Sequence, residues 1–243
     1  MMNLKKLLIT LITFNSLLTS IHAFDNNKSG LYIDKYKLID TEEPRIGIGI
    51  KGGSTKSAVD FGMNGSSYIF GLQVNTVPVR FLHVNVDVDY GQLKGGPIKL
   101  QDLNMPKMAS FTSDFLQANA VVRLLPLRLF MWNKMHPSAE FLSYIYGGIG
   151  VGYNSWKTTA PLFMYKDFGS LGNNKDGGMV IIQEVGIDIP ITKFKQDNQW
   201  FVNLNYRYNK LNTDNIDGFN PIVASNKHKD SYNSFTLGIM YKF

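Results

Sequence analysis

The sequence predicts an all-β chain, a transmembrane antiparallel up-and-down β-barrel of eight strands. Three observations predict it. Apolar residues recur at every second position over eight separate runs, the period of a strand with two unlike faces. The apolar face is continuous and ends on aromatics, whereas the other face carries glycines, amides and charges. The amino terminus, MMNLKKLLITLITFNSLLTSIHA, has the layout of an export signal.

The runs follow in order. RIGIGIKGG sets Ile46, Ile48 and Ile50 against Gly47, Gly49 and Lys51. SSYIFGLQVN sets Tyr68, Phe70, Leu72 and Val74 against Ile69, Gly71, Gln73 and Asn75. FLHVNVDVDYG sets Leu82, Val84, Val86, Val88 and Tyr90 against His83, Asn85, Asp87 and Asp89. In DFLQANAVVRLL, Leu116, Ala118, Ala120, Val122 and Leu124 oppose Phe115, Gln117, Asn119, Val121 and Arg123. FLSYIYGGIGVGY offers Phe141, Ile145, Ile149, Val151 and Tyr153 among alternating glycines. MVIIQEVGIDIP opposes Ile181, Val185, Ile187 and Ile189 to Ile182, Glu184, Gly186 and Asp188. QWFVNLNYRYN opposes Trp200, Val202, Leu204, Tyr206 and Tyr208 to Phe201, Asn203, Asn205, Arg207 and Asn209. NSFTLGIMYKF closes the chain, with Phe235, Leu237, Ile239, Tyr241 and Phe243 on one face.

Polar connections near 52–65, 92–113, 154–178 and 211–231 read as long loops, and those near 76–79, 125–137 and 190–198 as short links. That alternation would gather the long loops at one end. A soluble eight-stranded barrel would turn its apolar residues inward. Here the non-apolar face carries Asp87, Asp89, Arg123, Glu184 and Arg207, and aromatics sit at the strand ends, which suits lipid outside and a narrow polar lumen inside.

Lys5 and Lys6, the apolar run Leu7–Leu18 and Ala23 give residues 1–23 as a signal peptide, although Ile21 stands where a small residue is preferred. That run is too short for a helix of about 20 residues that spans a bilayer. Its removal leaves 23 basic against 19 acidic side chains, a net +4. Residues 24–44 read as a periplasmic leader and 45–243 as the barrel. The sequence contains no cysteine, which excludes disulfides and thiolate metal sites.

YIYGGIGVGY (144–153), LNYRYN (204–209) and the aromatic-ended FTLGIMYKF resemble the OmpA/OmpX-type small outer-membrane β-barrels over about residues 45–243. The resemblance implies a bacterial outer-membrane location, with outer-membrane lipid and lipopolysaccharide around the barrel. It also implies insertion by the barrel-assembly machinery, with Tyr241 and Phe243 in the assembly signal. Ligands on host or environmental surfaces would meet the loops. It implies neither a cofactor nor a nucleic-acid partner, and a peptidoglycan-binding domain is not expected after Phe243.

The expected function is non-enzymatic, structural or in surface contact, with Lys94, Lys99, Lys107, Lys227 and Lys229 as loop cations. A small pore or transport barrel is the alternative. His136, Ser138 and Glu140 have a spacing similar to that of outer-membrane lipid A deacylases, but Pro137 interrupts them in a periplasmic link. Omptin-type proteolysis would need Asp87, Asp89 and His228 over the barrel mouth. GIGIKG at 47–52 matches a dinucleotide fingerprint in letters only, since no helix or βαβ unit surrounds it. The charges Asp87, Asp89, Arg123, Glu184 and Arg207 are expected to fill the lumen as a network, with Glu184 beside Arg207.

Overall fold

Strands that bury one face and leave the other apolar can close on themselves and leave no unpaired edge. This chain takes that solution. The computed structural model describes residues 46–58, 63–79, 81–96, 110–130, 142–160, 163–165, 169–191, 199–213, 216–221 and 229–243. All of them belong to one unit, Ile39–Phe243. The barrel strands are β1 (Ile46–Ala58), β2 (Ser66–Val79), β3 (Leu82–Gly96), β4 (Phe111–Leu124), β5 (Ile145–Thr159), β6 (Asn174–Pro190), β7 (Gln199–Leu211) and β8 (Ser231–Lys242). Each pairs antiparallel with its neighbours in sequence, and β1 pairs with β8 to close the ring. The seam holds to its last residue, where Phe243 N donates to Ile46 O at 2.8 Å.

The rim that carries Ile46 and Phe243 is called the near end here, and the opposite rim the far end. Outward positions are apolar and exposed, from Ile48, Ile50 and Leu72 to Ile149, Leu237 and Ile239. Trp200, Tyr241 and Phe243 line the near rim, with the Trp200 and Tyr241 rings 4.9 Å apart. Tyr68, Tyr90 and Tyr153 mark the far limit of the belt. Between Trp200 and Tyr208 the strand covers about 26 Å at ~3.3 Å per residue. At the ~40° tilt of such strands that is roughly 20 Å of height, with aromatic girdles completing the span. A row of apolar side chains this wide, facing outward, is stable only against lipid.

The connections correct the expected loop rhythm. β1 runs to Ala58 and β2 starts at Ser66, so most of the segment near 52–65 is strand. The segment near 154–178 likewise holds the ends of β5 and β6 and two three-residue strands, Phe163–Tyr165 and Gly169–Leu171, the second paired with Phe219–Pro221. Polar residues there continue the ladder because their inward side chains find partners, as in Ser113 with Thr158 at 2.9 Å and Ser57 Oγ with Lys94 O at 2.7 Å. In the opposite sense, the link near 125–137 is not short. β4 ends at Leu124, a helix α1 occupies Pro126–Phe130, and β5 begins only at Ile145. The tight near-end turn lies between Val79 and Leu82. Residues 1–45, Lys99, Lys107, His136, Ser138, Glu140, Phe141, Lys227 and His228 lie outside the described residues.

Candidate functional site: the lumen

Eight strands leave an interior only wide enough for side chains to fill. The inward positions of this barrel fill it in layers. In the middle layer Arg207 on β7 lies directly across the ladder from Glu184 on β6. Its Nη2 donates to Glu184 Oε2 at 2.7 Å, and its Nε reaches the same oxygen at 3.0 Å. The rest of the guanidinium crosses the barrel. Nη1 donates to Asp87 Oδ1 at 2.9 Å and to Asp89 Oδ2 at 3.2 Å, and Nη2 to Asp87 Oδ2 at 3.0 Å. Strands β3 and β7 stand four places apart in either direction round the ring. Arg207 therefore ties diametrically opposed walls together.

Two further cations complete the layer. Lys51 on β1 places Nζ 3.0 Å from Asp87 Oδ1 and 2.9 Å from Asp89 Oδ1. Arg123 on β4 donates from Nε to Glu184 Oε1, and its guanidinium stacks 4.4 Å from the centre of the Tyr146 ring. Three cations thus meet three carboxylates, all of them buried. Amides add further hydrogen bonds to the same carboxylate oxygens. Asn85 Nδ2 donates to Asp87 at 2.8 Å, Asn119 Nδ2 to Asp87 at 2.7 Å, and Asn205 Nδ2 to Glu184 at 3.1 Å. Charges out of water are tolerated when paired and hydrogen-bonded in this way.

Glycine spacers explain how partners two strands apart can touch. The register line Arg123–Gly148–Glu184 puts a bare backbone between the two side chains. A Cβ on Gly148 would sit 3.0 Å from Glu184 Cγ. The line Lys51–Gly71–Asp89 repeats the arrangement, and there a Cβ would lie 2.1 Å from Asp89 Oδ1. Asn205–Gly186–Tyr146 is a third case, in which Asn205 Nδ2 donates to Tyr146 Oη at 2.8 Å.

Above and below this layer the lumen is packed. Toward the far end, Gln117 takes a hydrogen bond from the Tyr232 hydroxyl and another from Asn154 at 3.0 Å. Beyond it Leu93, Phe111, Phe115, Trp156, Leu211 and Ile216 form one buried apolar cluster. Ile216 comes from the connection after β7 and is pinned through its backbone. Its N–H donates to Asp230 Oδ2 at 2.9 Å, and its carbonyl accepts from Thr158 Oγ1 at 2.7 Å. Toward the near end Tyr144, Phe201 and Met240 pack together, and Lys242 Nζ sits 4.2 Å from the centre of the Phe201 ring. Among the described residues, both ring nitrogens of His83 and the side-chain amides of Gln73 and Asn75 are buried without a hydrogen-bond partner.

Asp87, Asp89, Arg123, Glu184 and Arg207 therefore meet in one cluster at mid-lumen. Asp87 and Asp89 do not stand over the mouth, as a protease site would require, because Lys51 and Arg207 hold them inside. Tyr241 and Phe243 lie on the outer near rim. Sequence reasoning missed Lys51 as a member of the cluster. Its signal was available, since Lys51 is the single charge at an inward-phased position of β1, in a stretch (46–53) otherwise made of isoleucine and glycine. GIGIKG (47–52) lies wholly within β1, and its inward glycines, Gly47 and Gly49, face the side chains of Met240 and Gln73.

A closed antiparallel eight-stranded ring with an apolar belt outside and a buried polar interior has the architecture of a small transmembrane β-barrel. Solved structures similar to it are Neisserial surface protein A (12% identity, 82% of this chain and 97% of that chain, TM-score 0.46), the attachment invasion locus protein Ail of Yersinia pestis (14%, 83% and 99%, TM-score 0.45) and the outer membrane protein OprG of Pseudomonas aeruginosa (14%, 84% and 99%, TM-score 0.40). No protein-family model matches the chain, and no curated protein matches it.

Proposed function

We propose that the protein is a non-enzymatic bacterial outer-membrane barrel, closed to solutes, that serves as a rigid anchor for the far-end connections on the cell surface. The observation that carries this reading is the filled lumen. Arg207 crosses the interior between opposed walls, and packed apolar residues lie on either side of that layer. The far rim also carries the short strands Phe163–Tyr165, Gly169–Leu171 and Phe219–Pro221 outside the barrel. In this reading residues 1–23 are removed on export, Tyr241 and Phe243 present the last strand to the barrel-assembly machinery, and the far connections face outside. Outer-membrane lipid and lipopolysaccharide surround the belt, and ligands on host or environmental surfaces meet the loops.

Trypsin added to intact cells tests the orientation. Cleavage is expected in the segments that hold Lys99 and Lys107 or Lys227 and Lys229, while the barrel strands survive. Cleavage confined to permeabilised cells would place these connections on the inner side and contradict the surface role.

A further inference from the structure

The apolar belt carries one side chain that lipid cannot serve. Along β6 the outward positions read Met179, Ile181, Gln183, Val185, Ile187 and Ile189. Gln183 is exposed, and among the described residues its amide has no hydrogen-bond partner. Its ladder neighbours are Ile149 on β5 and Tyr208 on β7. Toward the far end Ile181 and Met179 continue the apolar row, about 13 Å of strand at ~3.3 Å per residue and roughly 10 Å of height at a ~40° tilt. A stem of two methylenes is too short to carry the amide over that distance to headgroups. Tyrosines aside, the other outward polar side chains described on the barrel strands stand at or beyond the edges of the belt. Thr76 stands by the near-end turn, and Ser54 lies across the ladder from Tyr68.

An amide in hydrocarbon without a hydrogen-bond partner is costly, and acyl chains offer neither donor nor acceptor. A glutamine carries both, so two of them meeting head to head satisfy each other, each NH2 donating to the other's carbonyl. A two-fold axis along the membrane normal brings about that meeting, because it sets one patch against its own copy. The same axis sets the β5 flank of the patch, Gly147 and Ile149, against the β7 flank of the second copy, Leu204 and Tyr206. Gly147 is exposed, and no heavy atom lies within 4 Å of where its Cβ would sit. That bare spot lets a second wall come close, as small residues do at interfaces within membranes. Ile149 beside it, 72% exposed, stands out farther than any other large apolar side chain described.

We infer that the wall formed by β5, β6 and β7 around Gln183 is a lateral interface within the membrane, and that its occupant is a second copy of this chain. Lipid leaves the amide unpaired, and a different protein must supply a matching donor and acceptor at the same depth. A second copy supplies both by symmetry. The inference rests on the membrane-barrel reading but not on which end faces outside.

The sequence contains no cysteine, so single-cysteine variants report contact by disulfide formation. Refolded in phosphatidylcholine vesicles and mildly oxidised, V185C should form a linked dimer, since Val185 is the outward residue next to Gln183 on β6. L72C, on β2 at the opposite side of the ring, should remain monomeric. Adding Q183L to V185C should lower the linked fraction roughly tenfold at high lipid-to-protein ratio, the effect of losing two hydrogen bonds of the strength found within membranes. Q183L removes a polar group from lipid, so at dilutions without dimer its unfolding midpoint should equal or exceed that of wild type, which separates lost association from lost folding. A lower midpoint would mean that the amide is partnered within its own barrel and overturns the interface. No linkage of V185C, equal linkage of L72C, or linkage of V185C that survives Q183L overturns it as well. Linkage of V185C in whole cells to a different protein, with none in vesicles, overturns the choice of a second copy. Failure on any of these counts leaves the closed lumen and the loop orientation standing, since neither enters the experiment.

Discussion

Arg207→Ala should lower the unfolding free energy of the folded barrel in detergent by about 3–5 kcal/mol, the cost of leaving buried partners uncompensated. The guanidinium serves three carboxylates at once, Asp87, Asp89 and Glu184. Without it, Asp87 and Asp89 must share Lys51, and Glu184 keeps only Arg123. Arg207→Lys should recover only part of the loss. A single ammonium on a shorter stem lacks the fork that reaches opposed walls together. Urea titration followed by tryptophan fluorescence measures both variants. A loss below about 1 kcal/mol for Arg207→Ala would mean that the cluster contributes little to holding the walls.

Glu184→Ala should destabilise the barrel by a similar amount, about 3–5 kcal/mol, through the opposite imbalance. Arg123 and Arg207 both donate to this carboxylate, one to each oxygen. Removing it leaves two guanidiniums facing each other across a newly emptied position in the mid-lumen layer. Single-channel recordings should then show brief openings that favour anions, because uncompensated Arg123 and Arg207 would line the gap. Steady opening is not expected, since the apolar cluster around Phe115, Trp156 and Ile216 still closes the far half. Cation-favouring openings in Glu184→Ala would contradict the assignment of these two arginines to the lumen.

The two-residue alternation made the faces of the barrel legible, because a strand offers no other way to arrange Ile46, Ile48 and Ile50 against Gly47, Gly49 and Lys51. A short link between MVIIQEVGIDIP and QWFVNLNYRYN also allows Glu184 to be read beside Arg207, since a hairpin sets the register of its own strands. The contact of Arg123 with Glu184 was not legible in this way. It spans two strands and depends on Gly148 lying between them, which only the register of β4, β5 and β6 reveals. The cross-barrel reach of Arg207 to Asp87 needs closure of the whole ring, a property of no local segment. Loop lengths were misread for a related reason. Polar stretches such as STKSA at the end of β1 look like loop, yet remain in the ladder because Thr55 and Ser57 bond to the backbone of β3.

Conductance of the wild-type protein in a planar lipid bilayer tests the central claim, a lumen closed by its own side chains, most directly. With Arg207 bound to both walls and apolar residues packed above and below, insertion should produce no steady current above the bilayer baseline. A large, stable conductance in wild type that neither Glu184→Ala nor Arg207→Ala alters would contradict the account and identify the barrel as a pore.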